Sequence, residues 1–185
     1  PYIKKFVLPA AALTSITVGG IFFLKNHIGK KIINQAEKYV GVKEIHPNKG
    51  WTNTYFQSLM QKVGWQNGWD YCVLFTKLIL LQTLKGKKKS AVLKLFSASS
   101  QTTWQKLLKY EHLGLYKISN KAKPGSIAFY KHMQKEWRGH ADIVVQANKD
   151  QYKVITANGS VGVEVKNRRY TFNSDTFRLL GFVNF

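Results

Sequence analysis

Three observations predict an α+β domain. Helical periodicity fills the chain from about residue 28 to residue 110, and short β-rich runs separated by turn signals fill the remainder up to the carboxyl end. Nothing repeats internally, and strands do not alternate with helices as they would in βαβ units. The expected order is therefore helices first, then an antiparallel meander.

The first helix is predicted over Ile28–Val42, where Ile32, Ile33, Ala36, Tyr39 and Val40 recur at three- and four-residue spacings and Gly41 stands ready to end it. His46-Pro47-Asn48-Lys49-Gly50 reads as a loop. A second helix over Thr52–Val63 carries Tyr55, Phe56, Leu59, Met60 and Val63 on its apolar side, and Gly64 to Gly68 form a tight connection. Asp70 then precedes an apolar helix from Tyr71 to roughly Leu84, and an acidic residue just before such a run is a good amino-terminal cap. Gly86 is expected to close that helix. A lysine-rich helical stretch comes next, centred on Ala91–Phe96 and Thr103–Tyr110. The character changes at Ala122-Lys123-Pro124-Gly125. Strands are predicted over Ser126–Tyr130, Ala141–Gln146, Tyr152–Thr156, Val161–Val165 and Leu179–Phe185, with Asn148-Lys149-Asp150 as a hairpin turn.

Composition limits the functions available. Among 185 residues there are five Trp, nine Tyr and 11 Phe, enough aromatic bulk for a core, so a wholly disordered chain is excluded. One cysteine excludes an intrachain disulfide framework and any Cys-rich zinc or iron–sulfur site. The five histidines lack metal-ligand spacing, no glycine-rich phosphate cradle is present, and no nucleic-acid module is recognisable. No cofactor is expected. The formal charge of +20, with 29 Lys plus Arg against nine Asp plus Glu, favours polyanionic surroundings: nucleic acid, anionic lipid or anionic wall polymer. Specific nucleic-acid binding is not expected.

Phe6 to Leu24 carries no charged residue. As a helix it would span roughly 28 Å, about the thickness of a hydrocarbon core. A buried helix and a cleaved signal peptide are its rivals, but no small-x-small site comes after Leu24 before Lys25. The expectation is an uncleaved, single-pass membrane anchor occupying residues 1–30, with the remaining domain over 31–185.

Chemistry concentrates at three positions. Cys72 falls in the first turn of a predicted helix, where unpaired N–H groups and the helix dipole favour the thiolate. His140, preceded by Gly139 at the start of a strand, can face a cleft, take a proton near neutral pH and return it to a leaving amine. Asn158 ends the neighbouring strand, and in a hairpin register it would reach the distal ring nitrogen and fix the tautomer. The bland readings stay open beside these: a buried core cysteine, and Asn158-Gly159 as a simple turn.

Several blocks resemble the NlpC/P60 and CHAP superfamily of papain-like cysteine peptidases. They are Ala36-Glu37-Lys38-Tyr39-Val40-Gly41, Gly68-Trp69-Asp70-Tyr71-Cys72-Val73, Lys123-Pro124-Gly125-Ser126-Ile127-Ala128-Phe129, Gly139-His140-Ala141-Asp142-Ile143-Val144 and Ile155-Thr156-Ala157-Asn158-Gly159. Ser126 stands where the family has an acid and Asp142 where it has a glycine. Thr156 stands where some relatives carry Glu. The resemblance runs from about Lys31 to Phe185. It implies a papain-like fold, with amino-terminal helices packed on a small antiparallel sheet, and Cys72 as nucleophile, His140 as base and Asn158 as orienter.

The activity so implied is hydrolysis of a peptidoglycan amide, by an amidase or endopeptidase. Joined to the anchor, it suggests either a bacterial envelope enzyme or a virion-associated lysin of a membrane-containing phage. The expected partners are peptidoglycan, membrane lipids through Phe6–Leu24, anionic wall polymer or lipid, and virion proteins. The competing class is a noncatalytic membrane-bound structural or polyanion-binding protein on a peptidase-like scaffold.

Overall fold

The computed structural model describes residues 28–159, 162–170 and 176–185. Helix α1 occupies residues 28–37, followed by α2 (Thr54–Lys62), α3 (Cys72–Thr83), α4 (Gly86–Leu95) and α5 (Ser100–Tyr110). The strands are β1 (Lys117–Ser119), β2 (Ile127–His132), β3 (Gly139–Ala147), β4 (Gln151–Thr156), β5 (Glu164–Arg169) and β6 (Phe177–Asn184). They form one antiparallel sheet in the order β1-β6-β2-β3-β4-β5.

Local chemistry explains most of the boundaries. Asn53 caps α2 by accepting from the Phe56 N–H at 2.9 Å, and Ser99 caps α5 by accepting from the Thr102 N–H at 3.2 Å. After α1 the chain turns through Gly41, whose φ of +90° suits a residue without Cβ. Helix α3 is buried over most of its surface: Val73, Leu74, Phe75, Leu78, Ile79 and Leu80 are each at most 4% exposed. It lies centrally, packed on β3 and flanked by α2 and α4. Burying each such side chain contributes roughly 1.5–3 kcal/mol.

Three details depart from the sequence reading. Gly86 opens α4 instead of closing α3, because α3 already ends at Thr83 and Lys85 is extended as the next cap. The last strand does not extend the meander at its β5 edge; β6 inserts between β1 and β2, and β1 itself was not expected. The expected Val161–Val165 strand is β5, displaced to Glu164–Arg169.

A larger correction concerns the membrane. Among the described residues no helix is long and apolar enough to cross a bilayer. The expected fold had a transmembrane helix in front of it; the structure holds instead a mixed α+β domain of five helices and a six-stranded open antiparallel sheet among the described residues. Phe6–Leu24 lies outside those residues. The single-pass localisation, the lipid contacts and the virion partnership called for such a helix, and among the described residues none is present to carry them.

Strand alternation gives the sheet two unlike faces. Ile127, Phe129, Ala141, Ile143, Ile155 and Val183 point towards the helices and share their core. Ala128, Tyr130, Val144, Tyr152, Val154 and Phe182 form a second, smaller cluster on the opposite face.

Candidate active site

Cys72 is the first residue of α3 and is 4% exposed. Asp70, expected as the helix cap, does not fill that role: Tyr71 occupies the cap position and makes no side-chain cap bond. Asp70 instead gathers three donors from distant parts of the chain. Asn48 Nδ2 donates to it at 3.1 Å, Asn158 Nδ2 at 2.9 Å and Arg138 Nη2 at 3.2 Å. This ties the loop before α3 to the start of β3 and the end of β4.

The start of β3 is held with equal care. A Cβ on Gly139 would lie 2.5 Å from the Tyr130 carbonyl oxygen and 2.8 Å from Ser100 Oγ, so a side chain there would push His140 out of place. Ser100 Oγ donates to the His140 carbonyl at 3.1 Å, and Gln101 Nε2 to the Arg138 carbonyl at 3.0 Å. The first turn of α5 thereby fixes the strand from which the imidazole projects. The His140 ring lies 5.9 Å from Tyr130, its cross-strand partner, and 6.0 Å from Phe177.

His140 and Asp142 are two residues apart on one strand and so share a face. His140 Nε2 donates to Asp142 Oδ1 at 2.8 Å, and Thr156 Oγ1 lies 2.8 Å from the same nitrogen. Thr156 is the register partner of Asp142 across β3 and β4 and also hydrogen-bonds its carboxylate. The other carboxylate oxygen accepts from Arg168 Nε at 3.3 Å. Asp142 has no exposed surface, so its charge is compensated entirely by these neighbours. Cys72 lines the same pocket as His140 and is close enough to act electrostatically on the imidazole. With Nε2 committed to Asp142, Nδ1 is the nitrogen left to serve the thiol.

The electrostatics are set by this string of groups. Burial disfavours the charged imidazolium of His140. The charges of Asp142 and Cys72 outweigh burial and raise its pKa to about 10. Burial likewise opposes the Asp142 carboxylate, yet His140 and Arg168 hold its pKa down at about 2. Arg168 is pushed up by Asp142 against its own burial, and its guanidinium lies 5.9 Å over the Tyr130 ring. Burial raises the Tyr130 phenol well above its usual range, and its hydroxyl pairs with that of Tyr152 at 3.0 Å.

Cys72 sits where two lobes of a cleft meet. One lobe, of about 380 Å³, is lined by His140, Tyr130, Phe177, Lys166 and Arg168. The other, of about 370 Å³, is lined by Trp69, Trp137, Asn48, Ser99 and Ser100. Cys72, Asp70, Arg138 and Gly139 belong to both.

Of the residues singled out in the sequence, the structure brings Cys72 and His140 into one pocket. Asn158 lines that pocket too, but its amide is spent on Asp70, and Asp142 with Thr156 takes the distal nitrogen of His140. Asp142, Thr156 and Arg168 are the members that sequence reading missed. The signal for Asp142 was present: an acid two residues from a strand histidine, inside an otherwise apolar run. Among the described residues no group of three or more His, Cys, Asp or Glu side chains is disposed to hold a metal ion.

The pocket thus holds a thiol and an imidazole side by side, with a buried carboxylate bonded to the imidazole, so a potential nucleophile and a potential proton carrier share one cleft. No family model, no curated protein and no solved structure matches this chain.

Proposed function

We propose that the protein is a thiol-dependent hydrolase in which Cys72 attacks the carbonyl of an amide, with a peptidoglycan amide as the substrate implied by the resemblance to the NlpC/P60 and CHAP superfamily. The observation carrying this reading is that Cys72 and His140 line one pocket, with His140 bonded to the buried Asp142 and Asp142 to Arg168.

The Cys72 thiolate adds to the carbonyl carbon, and the carbonyl electron pair moves onto oxygen. The N–H groups at the start of α3 have no intrahelical acceptor and stand ready to receive that oxyanion. Collapse breaks the C–N bond, and the leaving nitrogen takes its proton from His140. A water molecule then attacks the thioester while His140 removes its proton. Collapse releases the carboxylic acid and returns the thiolate beside the imidazolium. Asp142 keeps Nε2 protonated throughout, and Arg168 and Thr156 keep Asp142 ionised and aimed.

The test is incubation of the protein with purified peptidoglycan of several chemistries and with simple peptide amides, beside Cys72→Ala, with products identified by mass. Release of a defined amine by the native chain and none by the variant is expected. Equal release by both, or release from no substrate, overturns the reading.

A further inference from the structure

The two cleft lobes are chemically unlike, and their positions relative to Cys72 and His140 assign each an end of the substrate. His140 lines the lobe that contains Arg168 and Phe177 and is absent from the lining of the other. The leaving nitrogen must lie within reach of the group that protonates it, so the amine half of the substrate occupies the His140 lobe. The acyl half, on the opposite side of the scissile bond, then extends into the lobe containing Trp69 and Trp137.

That second lobe has an unusual makeup. Trp137 is 71% exposed and Trp69 is 43% exposed, so two of the largest aromatic side chains in the chain stand open to solvent. The other three tryptophans, Trp51, Trp65 and Trp104, are buried in the core. Around the two open indoles the lining also carries polar side chains: Asn48, Asp70, Ser99, Ser100 and Arg138. Arg138 also sits against the Trp137 ring, its guanidinium carbon 5.2 Å from the ring centre, which limits the freedom of that indole. A purely aromatic or aliphatic side chain would leave these polar groups facing an apolar surface, at a desolvation cost. A sugar ring matches both features, with C–H faces for the indoles and a hydroxyl and amide edge for the polar rim.

Resting on the hydrolase reading, we infer that the Trp69–Trp137 lobe is an acyl-side saccharide subsite, so that the bond cleaved joins a sugar-borne acyl group to an amine. Of the wall amides left open by that reading, this selects the one at the sugar. Trp69 and Trp137 act as specificity-determining residues and take no part in proton transfer.

Binding and turnover test this separately. Full-chain Cys72→Ala protein is titrated calorimetrically with the tetramer of N-acetylglucosamine and with a phenylalanine-containing tetrapeptide. Saturable saccharide binding is expected, weakened about tenfold or more by Trp137→Ala or Trp69→Ala and largely kept by Trp137→Phe. Unchanged affinity in both alanine variants, or tighter binding of the peptide, overturns the inference. With the Cys72 protein, two amides sharing one leaving peptide are compared, one acylated by a sugar-borne lactyl group and one by acetyl. A preference of about tenfold or more in kcat/KM for the first is expected, carried in KM and erased by Trp137→Ala. Equal cleavage of the two substrates overturns the saccharide subsite and leaves the hydrolase reading standing. Cleavage of neither, with tryptophan-dependent saccharide binding intact, overturns the hydrolase reading and leaves the subsite.

Discussion

On the helix-facing side of the sheet, Ile127, Phe129, Ile143 and Val183 bury hydrocarbon in the core shared with α3 and α5. On the opposite side, Tyr130, Tyr152, Val144 and Phe182 surround a buried carboxylate that carries Arg168 on one oxygen and His140 on the other. The first face is held by area: each side chain contributes through surface removed from water, and neighbours can partly relax around a loss. The second is held by complementarity, since removing one charge strands its partners in a dry environment. Cys72 comes from the helical side and His140 from the other, and they meet at the beginning of β3. The candidate site lies where the tolerant layer and the intolerant one share an edge.

The largest effect that tests this contrast is Cys72→Ala. Turnover is expected to fall on the order of 10³-fold or more, because the nucleophile and its proton carrier act as a unit. Stability should move little, since the change removes one sulfur atom. A thermal midpoint lowered as far as by a core truncation would mean that Cys72 is chiefly packing.

Next come two substitutions of similar cost and different consequence. Phe129→Ala, which removes a ring 5.6 Å from Trp104 and 6.1 Å from Phe96, should lose about 3–5 kcal/mol in urea unfolding. Its kcat, measured where the variant is still folded, should remain close to native. Asp142→Ala should lose a comparable amount, about 3–5 kcal/mol, by removing the buried carboxylate that Arg168 and His140 both bond, and should also reduce kcat by about 10²-fold or more. Asn158→Ala, whose amide bonds Asp70 and not His140, should cost kcat far less than Asp142→Ala. The reverse ranking would return the orienting role to Asn158.

The pH dependence sharpens the comparison further. His140 has a raised pKa, so its contribution to stability is complete below its ordinary 6.5 and is lost as pH rises through about 10. Asp142 has a lowered pKa, so its contribution is present above its ordinary 3.8 and is lost as pH falls through about 2. Thermal midpoints should therefore pass over a plateau between those limits, and Asp142→Asn should flatten both flanks. An unchanged profile in that variant would show that the charged string does not govern stability.

The smallest expected effect is Tyr152→Phe, which removes the hydroxyl paired with Tyr130 at 3.0 Å. A loss of about 1 kcal/mol is expected from urea unfolding, with kcat unchanged. A marked fall in kcat would extend the functional string one residue deeper than Arg168.

What the amino-acid sequence determined by itself is the set of local structures whose causes lie within a few residues. The apolar spacing in α2, the strongly apolar stretch of α3, the turn at Asn148 and the β-rich runs of β3 and β4 are all of this kind. Cys72 and His140 were legible for the same reason, one in a helix's first turn and the other behind a glycine at a strand's start. Tertiary structure alone decided what depends on distant segments meeting. Asp70 resembles a cap in sequence, but its partners lie 22, 68 and 88 residues away, and charge and geometry draw it to them once Tyr71 takes the cap position. The place of β6 between β1 and β2 is a non-local pairing that no periodicity encodes. The choice of Asp142 over Asn158 beside His140 turned on strand register: alternation puts Asp142 and His140 on one face, and Thr156 reaches both only because β4 pairs in that register.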